Sequence, residues 1–173
     1  MTIPDTCIAF SGYRPNKYPF RFERGDAGYE RLKKALEDAV VQAIEDGFTT
    51  FLCGGAMGLD ILAGEIINTL QDEGMLIRLI CVVPFAGQAK RWTWRWKDRY
   101  CALLRRADDV VTLSEEYHDG CYHERNRFLV EHSSRLIVYY DGQPGGTQYT
   151  VEYAKKRERE IVNLCDWAEG DLL

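Results

Sequence analysis

The sequence predicts an α/β domain with an open, mostly parallel sheet and helices on both faces. Short apolar runs rich in Val, Ile, Leu, Phe and Cys alternate with longer stretches whose apolar residues recur every three or four positions. The short runs are continuous rather than polar-alternating, the pattern of strands buried on both faces. Strands in series with helices need crossover connections, which pair the strands in parallel. No repeat, low-complexity tract or linker divides the 173 residues, so the chain reads as one domain over 1–173.

The first strand is Cys7 to Phe10, closing on Ser11-Gly12, and a polar loop rich in Arg and aromatics follows to Gly28. Tyr29, Leu32, Leu36, Val40 and Ile44 then form one face of a helix that ends at Gly47. Thr49 to Cys53 is the second strand, and Leu59 to Asp72 is a helix with Leu59, Leu62, Ile66 and Leu70 on one face. Leu76 to Val83 is the third strand, stopped by Pro84-Phe85, and Gln88 to Arg106 reads as a long helix carrying Trp92, Trp94 and Trp96. Val110 to Leu113 is a fourth strand, Arg125 to His132 a helical stretch, and Leu136 to Tyr140 a fifth strand. A last helix over Thr147 to Arg159 leads to a sixth strand, Ile161 to Leu164. This is the order of a Rossmann-like, doubly wound sheet, in which ligands bind beyond the carboxyl ends of the strands.

Composition narrows the function classes. A hydrophobic fraction of 46% and a charged fraction of 28% are ordinary for a globular chain. The formal net charge of -5 argues against coating nucleic acid, which needs a basic face. No apolar run approaches the roughly 20 residues of a membrane span, and the first residues carry no secretory pattern. The six cysteines form no CxxC pair, and the three histidines have no zinc spacing, so no metal is expected. A reduced cytoplasmic protein is the expectation.

Two glycine-rich loops follow strands and open helices. In Gly54-Gly55-Ala56-Met57-Gly58-Leu59-Asp60, glycine permits a sharp turn and leaves no Cβ in a ligand's way. The helix start that follows offers unpaired N–H groups and the positive end of its dipole, an anion site. The loop is neither GxGxxG nor GxxxxGK[ST]. In Asp141-Gly142-Gln143-Pro144-Gly145-Gly146-Thr147, Gly145 and Gly146 bring backbone close to phosphate oxygens, and Thr147 offers a hydroxyl. Ser11 ends the first strand, and Arg14 beyond it can clamp a phosphate bidentately. Arg125 suits a phosphate, and Asn126 a base or ribose.

These motifs, in order, resemble the SLOG (SMF/DprA-LOG) superfamily and its YpsA-like branch. The resemblance spans nearly the whole chain. It rests on Gly12-Tyr13-Arg14, the loop Gly54 to Asp60, Pro84-Phe85 with Gln88 and Trp92, Arg125-Asn126 and Gly145-Gly146-Thr147. It implies a Rossmann-like fold and a ligand of the nucleotide or ADP-ribose type, bound by Ser11, Gly12, Arg14, Gly54, Gly55, Gly58, Asp60, Glu65, Pro84, Phe85, Arg125, Asn126, Gly145, Gly146 and Thr147. The similar LOG branch contains phosphoribohydrolases with the signature PGGxGTxxE. Here Pro144-Gly145-Gly146 and Glu152 match it, while Gln148 and Tyr149 stand where it has Gly and Thr.

Nucleotide sensing is therefore the leading expectation, with a small phosphorylated ligand as partner. The alternative, hydrolysis of an N-glycosidic bond in nucleoside monophosphates, needs a carboxylate near the ribose, for which Asp60 and Glu152 are the catalytic candidates. A third reading is an adaptor. Trp92 and Trp96 share core spacing with Tyr100 and Leu103, but Trp94 lies among Arg91, Arg95, Lys97 and Arg99, the composition of a homo-oligomer or protein-partner surface.

Overall fold

A computed structural model describes residues 7–166. Six strands form one sheet: β1 (Cys7–Ser11), β2 (Thr50–Cys53), β3 (Arg78–Val83), β4 (Asp109–Thr112), β5 (Arg135–Val138) and β6 (Glu160–Asn163). Their spatial order is β4-β3-β2-β1-β5-β6, and every pairing is parallel. Side chains alternate across it. Ile8, Phe10, Phe51, Cys53, Leu79 and Ile137 enter one core, while Ala9, Leu52, Val82, Leu136 and Val138 enter the other.

The first face is covered by α1 (Ala27–Glu45), α2 (Leu59–Asp72) and α3 (Trp94–Arg106), the second by α4 (Cys121–Glu131) and α5 (Gly146–Lys156). Helix α1 starts because Asp26 Oδ1 accepts the Gly28 and Tyr29 N–H groups at 2.8 and 3.1 Å. It buries Tyr29, Leu32, Leu36 and Val40 as one stripe, and Gly47 at φ +100° lets the chain turn back towards β2.

Two helices begin elsewhere than periodicity suggests. Helix α3 starts at Trp94 rather than Gln88, because the chain first makes successive turns, with the Gln88, Lys90 and Trp92 N–H groups bonded to the Phe85, Gly87 and Ala89 carbonyls. Trp92 still packs edge-on against Tyr100, at 5.2 Å between ring centroids. Helix α4 starts four residues before Arg125, on Gly120 at φ +85°. Its first turn, Cys121 to Glu124, lacks an apolar period because Tyr122 and His123 face a crevice.

The connectivity positions that crevice. From β1 the chain runs outward through β2 and β3 to β4, then returns across the sheet to β5 and continues the other way to β6. The direction reverses between β1 and β5. There the connections leave to opposite faces and open a crevice beyond the strand ends. Leu36 is fully buried in the larger core. Leu36→Ala is expected to lower the free energy of unfolding by about 2–5 kcal/mol, measured by urea denaturation.

Candidate functional site

A crevice of about 410 Å³ lies at the carboxyl ends of β1 and β5. Ser11, Gly12 and Arg14 reach it from β1, Asp60 from α2, Arg125 and Asn126 from α4, and Gly146 and Thr147 from α5. Three helices present their first turns here. Each begins on a glycine with no side-chain cap: Gly58 for α2, Gly120 for α4 and Gly145 for α5. Of the three, α5 brings its first residue, Gly146, to the lining, where N–H groups and the helix dipole attract an anion, while α4 lies along the wall through Tyr122, Arg125, Asn126 and Leu129 and α2 contributes the Asp60 carboxylate.

Glycine is required for packing at two of these turns. A Cβ on Gly12 would overlap the Leu59 side chain, and one on Gly58, at φ +98°, would overlap the Tyr13 carbonyl oxygen. The end of β1 and the start of α2 therefore meet at backbone distance. Tyr13 locks the second loop to the same strand end. Its hydroxyl donates to Asp141 Oδ1 at 2.6 Å and accepts the Asp141 and Gln143 N–H groups at 3.0 and 3.2 Å. Burial, helped by the Asp141 carboxylate, pushes the Tyr13 phenol up to about 12, so it holds its proton and keeps donating. Lys17 completes the clasp, with Nζ donating to the Pro144 carbonyl at 2.8 Å.

The floor holds a buried charge pair. Arg125 donates from Nη1 to the Gly54 carbonyl at 2.7 Å and from Nε to Asn126 Oδ1 at 2.9 Å. Asp60 is 6% exposed, and its Oδ2 accepts the Ala56 N–H at 3.3 Å. A Cβ on Gly54 would lie 2.8 Å from Arg125 Nη1 and 2.9 Å from Asp60 Oδ2, so the two charged groups converge over that α-carbon. Asp60 Oδ1 is buried with no hydrogen-bond partner among the described residues. Burial raises the Asp60 carboxyl from 3.8 to about 6, against the opposing pull of Arg125, the Ala56 N–H and Arg14. Burial likewise lowers Arg125, and the Asp60 charge opposes this.

Not every expected residue reaches the crevice. Glu65 faces a groove between α1, α2 and α3, where Arg99 donates to it from Nε at 3.0 Å and Nη2 at 2.5 Å. Glu152 is exposed on α5 outside the crevice. Six residues past Gly146 is about 240° around a helix and roughly 9 Å along it, which carries a side chain off the face that Gly146 starts. Gly55, at φ +70°, backs onto Tyr100 and Gln88. Pro84 is buried at the end of β3, and Phe85 meets Tyr122 edge-on at 5.9 Å. Neither lines the crevice, and Phe85 stands behind its Tyr122 wall. Gly145, at φ +138°, serves as the α5 cap under Lys17.

The sequence reading missed Asn16, Lys17, Tyr122 and His123 as lining residues. Tyr122 is within cation–π range of Arg14 and Arg125, at 5.6 and 5.9 Å. A helix start placed at Gly120 would have signalled both aromatics. Among the described residues no three His, Cys, Asp or Glu side chains gather as a metal site, and no helix is long and apolar enough to cross a membrane.

The YspA SLOG family model matches residues 8–165. The chain belongs to this family. It is similar to the UPF0398 protein BH1768 of Halalkalibacterium halodurans, 31% identical over 156 residues that cover 88% of this chain and 82% of that one. A UPF0398 protein of Bacillus cereus is 31% identical over 159 residues, covering 90% and 85%. Among solved structures, DNA processing protein A of Helicobacter pylori, described for its single-stranded DNA binding, matches with a TM-score of 0.61 at 17% identity, over 90% of this chain and 63% of that chain. DNA processing protein A of Streptococcus pneumoniae matches with a TM-score of 0.54 at 16% identity, over 92% and 49%. At these identities the likeness is one of fold.

In this SLOG chain Tyr149, which stands where the PGGxGTxxE signature has Thr, stacks on the crevice residue His123 at 4.1 Å and 9°. Its hydroxyl accepts a hydrogen bond from Arg127 at 2.8 Å. The departure from the signature thus packs behind a crevice residue rather than lining the crevice itself.

The Asp60 carboxyl gives a pH prediction. Its folded pKa is raised, so the stability it contributes is fully present below about pH 4 and is lost as pH rises through about 6. Asp60→Asn mimics the protonated form. The stability of Asp60→Asn relative to the unaltered protein should therefore climb between about pH 4 and 6 and then level off, as read by denaturant titration at each pH.

Proposed function

We propose that the crevice binds a nucleotide or nucleotide-derived phosphorylated ligand, and that the protein acts through this binding as a sensor or regulator. The observation that carries this is a crevice at the reversal of strand order walled by the uncapped, glycine-started N-terminus of α5, with the first-turn residues Asp60 of α2 and Tyr122 and His123 of α4 beside it. Arg14 adds an exposed guanidinium at the rim. A phosphate takes the α5 end, where Gly146 and Thr147 start the helix. Asn126 supports that placement: its Oδ1 is held by Arg125, which leaves Nδ2 as a donor beside Gly146. Titration calorimetry with AMP, ADP, ADP-ribose and NAD should detect binding, weakened about 10–100-fold by Arg14→Ala, the loss of one charge-assisted hydrogen bond. No heat from any of these ligands would refute the reading.

Turnover is the second reading, and it narrows to Asp60, the carboxylate that lines the crevice, since Glu152 lies outside it. A carboxyl that changes charge near pH 6 is suited to general acid–base work. Free base released from AMP by the protein and abolished in Asp60→Asn would establish it; no release over prolonged incubation would reduce the function to binding.

Two interaction readings complete the set. Single-stranded DNA binding, described for the H. pylori neighbour, is opposed here by the net charge of -5. Self-association or partner docking is favoured by Trp94, 75% exposed beside the groove of about 1080 Å³ between α1, α2 and α3.

A further inference from the structure

We infer that the crevice recognises its nucleotide through a sugar hydroxyl donated to Asp60, so that it takes ribonucleotides and discriminates against their deoxy counterparts. The inference rests on the nucleotide reading and assigns the orientation of the ligand within it.

The starting point is Asp60 Oδ1, a buried carboxylate oxygen with no partner among the described residues, on a side chain that lines the crevice. A buried acceptor left unpaired carries the full cost of its lost hydration. Its neighbours do not remove that cost. The Ala56 N–H serves Oδ2, and Arg125 directs its bonds to Gly54 and Asn126. What completes Oδ1 must be a donor, and it must not be an anion, because a phosphate against this carboxylate would face like charge.

The other walls divide the remaining groups of a nucleotide. The α5 start offers the donors of its first turn, the Thr147 hydroxyl and the Asn126 Nδ2, which has no partner among the described residues, and suits phosphate. Tyr122 and His123 on α4 offer aromatic faces on which a base can stack. The sugar joins base to phosphate and so falls between these walls, over the floor where Asp60 lies. Its hydroxyls are neutral donors, the chemistry Oδ1 lacks.

A base amine is the other neutral donor that a nucleotide offers, and substitution separates the two. The experiment is calorimetric titration of the full chain at pH 8 with AMP, 2′-deoxy-AMP, 3′-deoxy-AMP and IMP. AMP is expected to bind about 10-fold or more tightly than at least one deoxy analogue, with IMP within a few-fold of AMP. In Asp60→Asn the preference for AMP over that analogue should shrink to about 2–3-fold, because the charge that strengthens the bond is gone. This comparison is between ligands on one protein, so a general loss of affinity in the variant does not disturb it. Both deoxy analogues binding as well as AMP would overturn the inference and leave the nucleotide reading standing. A penalty confined to IMP would transfer Oδ1 to the base and overturn it also. Failure of every one of these ligands to bind would overturn the nucleotide reading itself, and the inference with it.

Discussion

The guanidinium of Arg125 is the group around which the site is organised. It rises from α4 on one face of the sheet and ends on the Gly54 carbonyl, at the exit of β2 and ahead of α2 on the other face. A buried cation is tolerated only where oxygens and an opposite charge meet it. Gly54, Asn126 and Gln88 provide the oxygens, and Asp60 the charge. Gly54 and Asp60 lie on the β2–α2 loop and helix start, Gln88 on the turns after β3, and Asn126 beside Arg125 on α4 itself. Satisfying one guanidinium therefore fixes the relative placement of the β2–α2 loop, the turns after β3 and the start of α4.

The same requirement explains why the loops are glycine-rich. At Gly54 a Cβ would crowd Arg125 and Asp60, and at Gly12 and Gly58 it would crowd Leu59 and the Tyr13 carbonyl. These glycines make room first for the protein's own groups. The anion-attracting character follows from what the close packing leaves bare at the α5 start, where the cap is a glycine and no side-chain cap is made among the described residues. Tyr13 and Lys17 then hold the Pro144 to Thr147 turn against β1, so the two glycine loops share one crevice.

Much of this was legible in the chain. The helix over Leu59 to Asp72 and the four inner strands follow from period and burial, because buried parallel strands and amphipathic helices write themselves as apolar runs and stripes; the edge strands β4 and β6 show as short apolar runs though they are exposed or half-buried. Local signals failed where a segment answered to the site rather than to the core. Tyr122 and His123 break the apolar stripe of α4 because they face the crevice, and residues 85–92 turn instead of continuing a helix. Glu65 and Glu152 were placed by resemblance. Helical rotation carries Glu65 to Arg99, and Glu152 to the surface.

The sequence by itself determined the fold class, the order of strands and helices, the two glycine loops and membership of a superfamily with this architecture. These are properties of local period, turn chemistry and motif order, all written over a few consecutive residues. Only the tertiary structure decided that Arg125 and Asp60 share a floor, that Tyr13 clasps Asp141, and that one oxygen of Asp60 is buried without a partner among the described residues. Those facts depend on residues 65 and 128 positions apart arriving at the same point. No local pattern encodes that; it follows from the reversal of strand order between β1 and β5.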